Sequence, residues 1–116
     1  MREIKFRCWF DNQMHKVVDI DFSYKRINLF GADIIGFKEG VLMQFTGLYD
    51  KNGKEIYEGD IVRNYGHDIE DWIVSYEYGK FIGTFDNICE DLYEIHDFEV
   101  IGNIYDNPEL LGGKDE

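Results

Sequence analysis

Apolar and polar residues alternate along most of this chain, and a period of two predicts strands rather than helices. In residues 2–10 the even positions Ile4, Phe6, Cys8 and Phe10 are apolar, while Glu3, Lys5 and Arg7 alternate with them. That is the pattern of a strand buried on one side. Asp11-Asn12 supplies a turn, and residues 14–22 and 24–30 read as further strands. Residues 31–40 hold three glycines and no clear period, which predicts a loop with a short extended piece. Residues 41–45 form a short apolar run consistent with a strand.

Turn chemistry is densest in residues 46–62, TGLYDKNGKEIYEGDIV. Asp50-Lys51-Asn52-Gly53 predicts a hairpin, because Asn and Gly accept the positive φ that tight turns demand. A two-residue Asn52-Gly53 loop and a longer loop ending in a glycine bulge both fit. Glu58-Gly59-Asp60 is a second turn, with Gly59 supplying a φ that other residues resist. Ile61-Val62 opens the next strand. A meander follows, with Trp72, Val74, Tyr76 and Tyr78 on one face and Asp71, Ile73, Ser75 and Glu77 on the other. Gly79-Lys80 turns the chain and residues 81–85 return it.

Residues 87–96 are ambiguous. Ile88, Leu92 and Ile95 fit helical spacing, yet residues 93–96 pair equally well as a strand; the expectation is a short helix or turn followed by a strand. Residues 98–105 read as the last strand. Asp106-Asn107-Pro108 ends it, residues 109–111 form one helical turn, and residues 112–116 are a flexible tail. No internal repeat or linker divides the chain. Residues 1–111 are therefore expected to be a single, mostly β domain of small antiparallel sheets with little helix. Its N-terminal part is 1–45 and its second part 46–111.

Composition sharpens this picture. A chain of 116 residues with 16% aromatics and one proline can bury a real core and favours strands. Two cysteines, Cys8 and Cys89, fit a reduced compartment, so the expected location is cytoplasmic. Charges interrupt the first apolar run, so no signal peptide or membrane span is expected. The net charge of -12 is unevenly placed. Residues 1–63 hold 10 Lys/Arg and 10 Asp/Glu, whereas residues 64–116 hold 2 and 14. An acidic half either keeps the protein soluble or meets a basic partner. It disfavours direct nucleic-acid binding, which needs clustered Lys and Arg.

Reactive constellations are weak. His15, His67 and His96 lack the short paired spacing of metal ligands, and no C-x-x-C occurs. Cys8 alternates with Phe6 and Phe10, which makes it a small buried hydrophobe rather than a nucleophile. Cys89 sits among Asp86, Glu90 and Asp91, whose charges oppose a thiolate. Glu70-Asp71 and Glu90-Asp91, with Glu94, Asp97 and Glu99 nearby, include carboxylate pairs of the kind glycosidases use. In so acidic a region a solvated face explains them better, and no calcium-loop spacing is present. Trp72, Tyr76, Tyr78, Phe81 and Phe85 read as core first and as a protein-binding patch second; base stacking would want a positive groove. Phosphate-cradling glycine loops are absent. Trp72, Tyr76, Glu90, Asp91, Glu94 and Asp97 form the candidate interaction face.

Three segments carry a resemblance: MREIKFRCW at residues 1–9, LMQFTGLYDKNGKEIYEGDIV at 42–62, and VIGNIYDNPELL at 100–111. In that order they resemble the YopX family of bacteriophage and prophage proteins. The resemblance implies a mostly β protein with a small SH3-like barrel formed largely after the hairpin, of viral or prophage origin, acting inside the bacterial cell. It implies no catalytic residues. Gly47, Gly53, Gly59, Gly102, Asp60, Asn103 and Pro108 match the family pattern and, with Asn52, are expected to be architectural. The expected function is a non-catalytic interaction or assembly module without cofactor, forming a homo-oligomer. An acidic decoy occupying the nucleic-acid site of a basic host or phage protein is a second expectation. A small enzyme or metal-binding protein is a third.

Overall fold

The computed structural model describes residues 3–31, 33–95 and 97–112. The chain forms two compact units, Met1–Phe45 and Thr46–Glu116. Strands dominate both, and every strand pairing with a defined register is antiparallel.

In the N-terminal unit the strands are β1 (Phe6–Phe10), β2 (Gln13–Asp21), β3 (Arg26–Leu29), β4 (Ile34–Gly36) and the start of β5 (Val41–Tyr49). They lie in the order β4-β3-β2-β1-β5, with β6 (Glu55–Tyr57) following beside β5. Asp11 and Asn12 sit at φ 54° and 59° between the facing pair Phe10 and Gln13. Two successive left-handed residues match the twist of the flanking strands, which is why this short Asp-Asn turn closes the hairpin. β4 is the short extended piece expected within residues 31–40. The first strand is shorter than the alternation suggests, since β1 begins at Phe6 and Ile4 is exposed.

Alternation places Cys8, Ile27, Leu29 and Ile35 in the core of this unit, with Phe10, Val17, Phe37 and Leu42 packed around them. Each fully buried Ile or Leu contributes about 1.5–3 kcal/mol relative to exposure. Cys8 fits because its neighbour is small: a Cβ on Gly40 would stand 2.6 Å from the Cys8 sulfur. Burial also pushes the Cys8 thiol up in pKa, as expected of a packed rather than reactive sulfur.

In the C-terminal unit, β5 turns into β6. The Asp50 N–H donates to the Lys54 carbonyl at 2.8 Å, the Gly53 N–H donates to the Asp50 carbonyl at 2.9 Å, and Gly53 has φ 83°. This is the longer of the two expected loops, ending in a left-handed glycine. Gly59, at φ 88°, turns the chain into β7 (Asp60–Tyr65). Then come β8 (Ile69–Glu77), β9 (Lys80–Phe85), β10 (Ile88–Asp91) and β11 (Phe98–Asn103), in the order β10-β9-β8-β7-β11. With β10 and β11 at opposite edges this sheet is open, so the expected barrel is not formed by strand closure. Ile56, Val62, Trp72, Val74, Leu92, Ile95 and Phe98 make its core. α1 (Glu109–Gly112) is the expected helical turn, and residues 113–116 of the expected tail lie outside the described residues.

Two local expectations change. The β8–β9 turn is Tyr78-Gly79 rather than Gly79-Lys80, since Glu77 faces Lys80 and Tyr78 and Gly79 have φ 58° and 78°. A bulky residue in the left-handed region runs against the steric rule, so the pattern alone points one residue too far. Residues 87–96 also reverse the expected order: strand β10 comes first and a single 3-10 turn, Leu92–Glu94, comes after it. Ile88 pairs across from Phe85 as a strand residue, while Leu92 and Ile95 are the buried positions.

Candidate functional site

Tyr93 is an exposed ring of the C-terminal unit that borders two hollows. Leu92 and Ile95 are drawn into the core, and the 3-10 turn between them leaves Tyr93 and Glu94 outside. The first hollow, of about 240 Å³, is floored by Leu48, Phe81 and Leu92. A second hollow, of about 280 Å³, is lined by Tyr93 together with Leu48, Tyr49, Ile95 and Phe98 among others. Leu48 and Tyr93 border both. The rim is acidic. Glu94 and Asp97 are exposed, and Asp91 holds Lys80 at 2.6 Å. The Asp91 hydrogen bond raises the Lys80 pKa, and the charge of Glu94 raises that of the Tyr93 phenol. Both groups therefore keep their protons at neutral pH.

Of the six residues of the expected interaction face, Asp91 lines the first hollow, Asp97 the second, and Glu94 lies close to Tyr93, whereas Glu90 is exposed but lines neither. Tyr76 is half exposed and meets Phe81 edge-to-face at 4.9 Å, which links it to the first hollow. Trp72 does not join them. It is 4% exposed, tilted against Phe85 at 5.5 Å, and its indole N–H donates to Glu70 at 3.2 Å. An aromatic in mid-strand is recruited by the core first, whereas Tyr76 lies near the strand end where the core runs out.

Residues expected to be architectural each have a local task. Asn52 donates from its amide to Glu99 at 3.3 Å, and Asp60 accepts the Tyr57 N–H at 2.7 Å. The Asn103 side chain accepts from the N–H groups of Tyr105 and Asp106 at 2.9 and 2.8 Å. Gly102 has no room for a side chain, since a Cβ there would meet Asn107 Oδ1 at 2.5 Å. Pro108 accepts the Leu111 N–H at 3.0 Å and so opens α1. Gly47 has φ 88° within β5, a conformation that side chains resist.

Sequence reasoning placed Asp50 in the hairpin turn but gave its carboxylate no role. It is buried, and its carboxylate accepts the N–H groups of Asn52 and Lys54 on Oδ1 and that of Val100 on Oδ2. Burial alone would raise its pKa, but the three backbone donors outweigh it and hold the group below the usual carboxylate value. An Asp opening a hairpin loop is a signal for the first two bonds; nothing local announces the third. Tyr93 and Leu48 were missed as well, because neither carries a distinctive neighbour.

The expected weak centres fall in separate places. His15 Nε2 is 3.1 Å from the Phe10 carbonyl, His67 is exposed beside Asp68, and His96 lies outside the described residues. Asp71, one of the paired acids, makes a two-pronged bond to Arg63 at 2.8 and 3.1 Å. Cys89 is exposed, 3.6 Å from the Thr84 hydroxyl. Among the described residues no group of three or more His, Cys, Asp or Glu is placed to hold a metal ion. No helix among them is long and apolar enough to cross a membrane.

Comparison with known proteins follows from this geometry. The crystal structure of protein EF1440 from Enterococcus faecalis is similar to the chain, with TM-score 0.65, 34% identity, and 96% of this chain and 99% of that one covered. The structure of protein yopX from Bacillus subtilis has the same TM-score of 0.65 at 23% identity, covering 95% and 98% of the two chains, and shows likeness of fold. No match was found among curated proteins. The YopX protein family pattern matches residues 5–112, nearly the whole sequence. The chain belongs to the YopX family.

Proposed function

We propose that the chain is a non-catalytic interaction module, encoded by a bacteriophage or prophage and active in the bacterial cell, that assembles with copies of itself through its N-terminal unit. The observation that carries this reading is the exposure of Val18, Phe22, Tyr24, Phe30 and Ile34, all on β2–β4 and their turns. Soluble monomers rarely leave so many large apolar side chains in one short region uncovered. Charge selects a second copy as the occupant. The N-terminal unit carries 7 Lys/Arg and 6 Asp/Glu, while the C-terminal unit carries 5 and 18. Two acidic units repel each other, whereas the nearly neutral apolar region does not. Light-scattering mass determination tests the reading. The expected result is a fixed multiple of the chain mass, reduced to one chain by the surface pair Phe22→Lys and Phe30→Lys. A single-chain mass at all concentrations overturns it.

The charge of the C-terminal unit favours a second reading, an acidic decoy for the nucleic-acid site of a basic protein. Neutralising Glu90, Asp91, Glu94 and Asp97 together is then expected to abolish binding to that protein; unaltered affinity removes the reading.

A further inference from the structure

The hollows beside Tyr93 combine two features that serve different kinds of contact. Their floor is apolar, made by Leu48, Phe81 and Leu92 in one and by Leu48, Ile95 and Phe98 in the other. Their rim carries Asp97, which lines the second hollow, and Glu94, close to Tyr93, in a unit that holds 5 Lys/Arg and 18 Asp/Glu. Two cations also line the hollows, and each has a partner of its own. Lys80 is held by Asp91 at 2.6 Å, and Lys51 lies over the Tyr65 ring at 4.2 Å. A small apolar ligand would satisfy the floor and leave the rim idle. Nucleic acid would be repelled by the rim. A second copy of this acidic unit would meet like charge.

What fits both features is a chain that carries apolar anchors and positive charge together. An extended peptide places alternate side chains on one face about 7 Å apart. Two apolar residues on one face of such a strand suit two hollows that share Leu48 and Tyr93 in their linings. Lys or Arg side chains between and beside them are long enough to reach the rim carboxylates. Tyr93, largely exposed and bordering both hollows, is the natural surface for the peptide backbone and for cation–π contact with its basic residues. β10 strengthens the case as the outer strand of its sheet, offering backbone groups to an added strand.

We propose that the trough formed by the two hollows bordering Tyr93 binds an extended basic peptide segment carrying apolar anchor residues. This contact is separate from self-assembly through the N-terminal unit, so either can fail alone.

Fluorescence anisotropy with three labelled peptides tests it on the full chain: Lys-Lys-Leu-Lys-Leu-Lys-Lys, the same peptide with both leucines replaced by serine, and the same peptide with every lysine replaced by glutamate. The leucine–lysine peptide is expected to bind at least tenfold more tightly than the serine form, and the glutamate form not to bind. Glu94→Lys with Asp97→Lys, or Tyr93→Ala alone, is expected to weaken the first peptide at least tenfold; all three positions are exposed, so the fold tolerates the changes. Equal binding of the leucine and serine peptides overturns the proposal and leaves only general attraction to an acidic surface. Affinity unchanged in both variants overturns it too, as does failure of the leucine–lysine peptide to bind at low salt.

Discussion

The Oδ2 atom of Asp50 accepts the backbone N–H of Val100 at 2.9 Å, joining residues fifty positions apart. The other oxygen of the same carboxylate closes the hairpin loop on Asn52 and Lys54. One buried side chain therefore fixes a local turn and ties it to the last strand. Asp50→Ala would leave three partly buried N–H donors without their carboxylate. Hydrogen bonds to a charged group contribute about 1.5–3 kcal/mol and a buried orphan donor costs about 1–3 kcal/mol. The expected loss is about 3 kcal/mol, read from urea unfolding. A loss below about 1 kcal/mol would mean that water replaces the carboxylate.

Acid should find the same residue. The Asp50 pKa is lower in the folded chain than its ordinary value of 3.8. The folded state thus binds fewer protons, and its stability rises with pH in this range. The contribution is complete above about pH 4 and is lost as pH falls through the folded value. Urea midpoints measured between pH 6 and 2.5 are expected to drop less steeply at the acid end for Asp50→Asn than for the unaltered chain. Parallel curves would count against Asp50 as the responsible group.

Gly83 leaves space for its neighbours. A Cβ at this position would lie 2.6 Å from Ile95 Cδ1 and 3.3 Å from Trp72 Cε3. Gly83→Ala is expected to destabilise by about 1–3 kcal/mol through overpacking. Ile95→Val removes the obstructing methyl at a cost of about 0.5–1.5 kcal/mol. Combined, the two should cost clearly less than their sum. Additive losses in denaturant unfolding would show that the clash is not with Ile95.

Tyr78 spends stability at the tip of its hairpin. It holds φ 58° with its side chain largely exposed. The left-handed region costs a residue of this kind about 1–2 kcal/mol. Tyr78→Asn, giving Asn ahead of Gly79, is expected to raise stability by about 0.5–1.5 kcal/mol in thermal or urea unfolding. An unchanged midpoint would mean that the tyrosine ring recovers the strain through contacts of its own.

These cases show how far the residues announce the fold. Alternation revealed most strands, because one side of each is buried and the other wet. Asp11-Asn12 and Gly53 announced their turns through backbone conformation. Tyr78-Gly79 was hidden because strain contradicts propensity there. Residues 88–95 mixed two patterns because an outer strand gives way directly to a 3-10 turn. The proposed trough was half visible: charge marked Glu94 and Asp97, while its floor depends on residues far apart in sequence. Trp72, read as core first and as part of the candidate face second, lies in the core. The Asp50–Val100 bond had no local trace at all.

The two thiols carry a practical consequence. Cys8 lies wholly buried in one unit and Cys89 lies exposed in the other. An alkylating reagent should reach Cys89 in the folded chain, and it should reach Cys8 only in molecules whose N-terminal unit has opened. The slow phase of labelling then counts the openings of that unit in native conditions, without any added dye or tag.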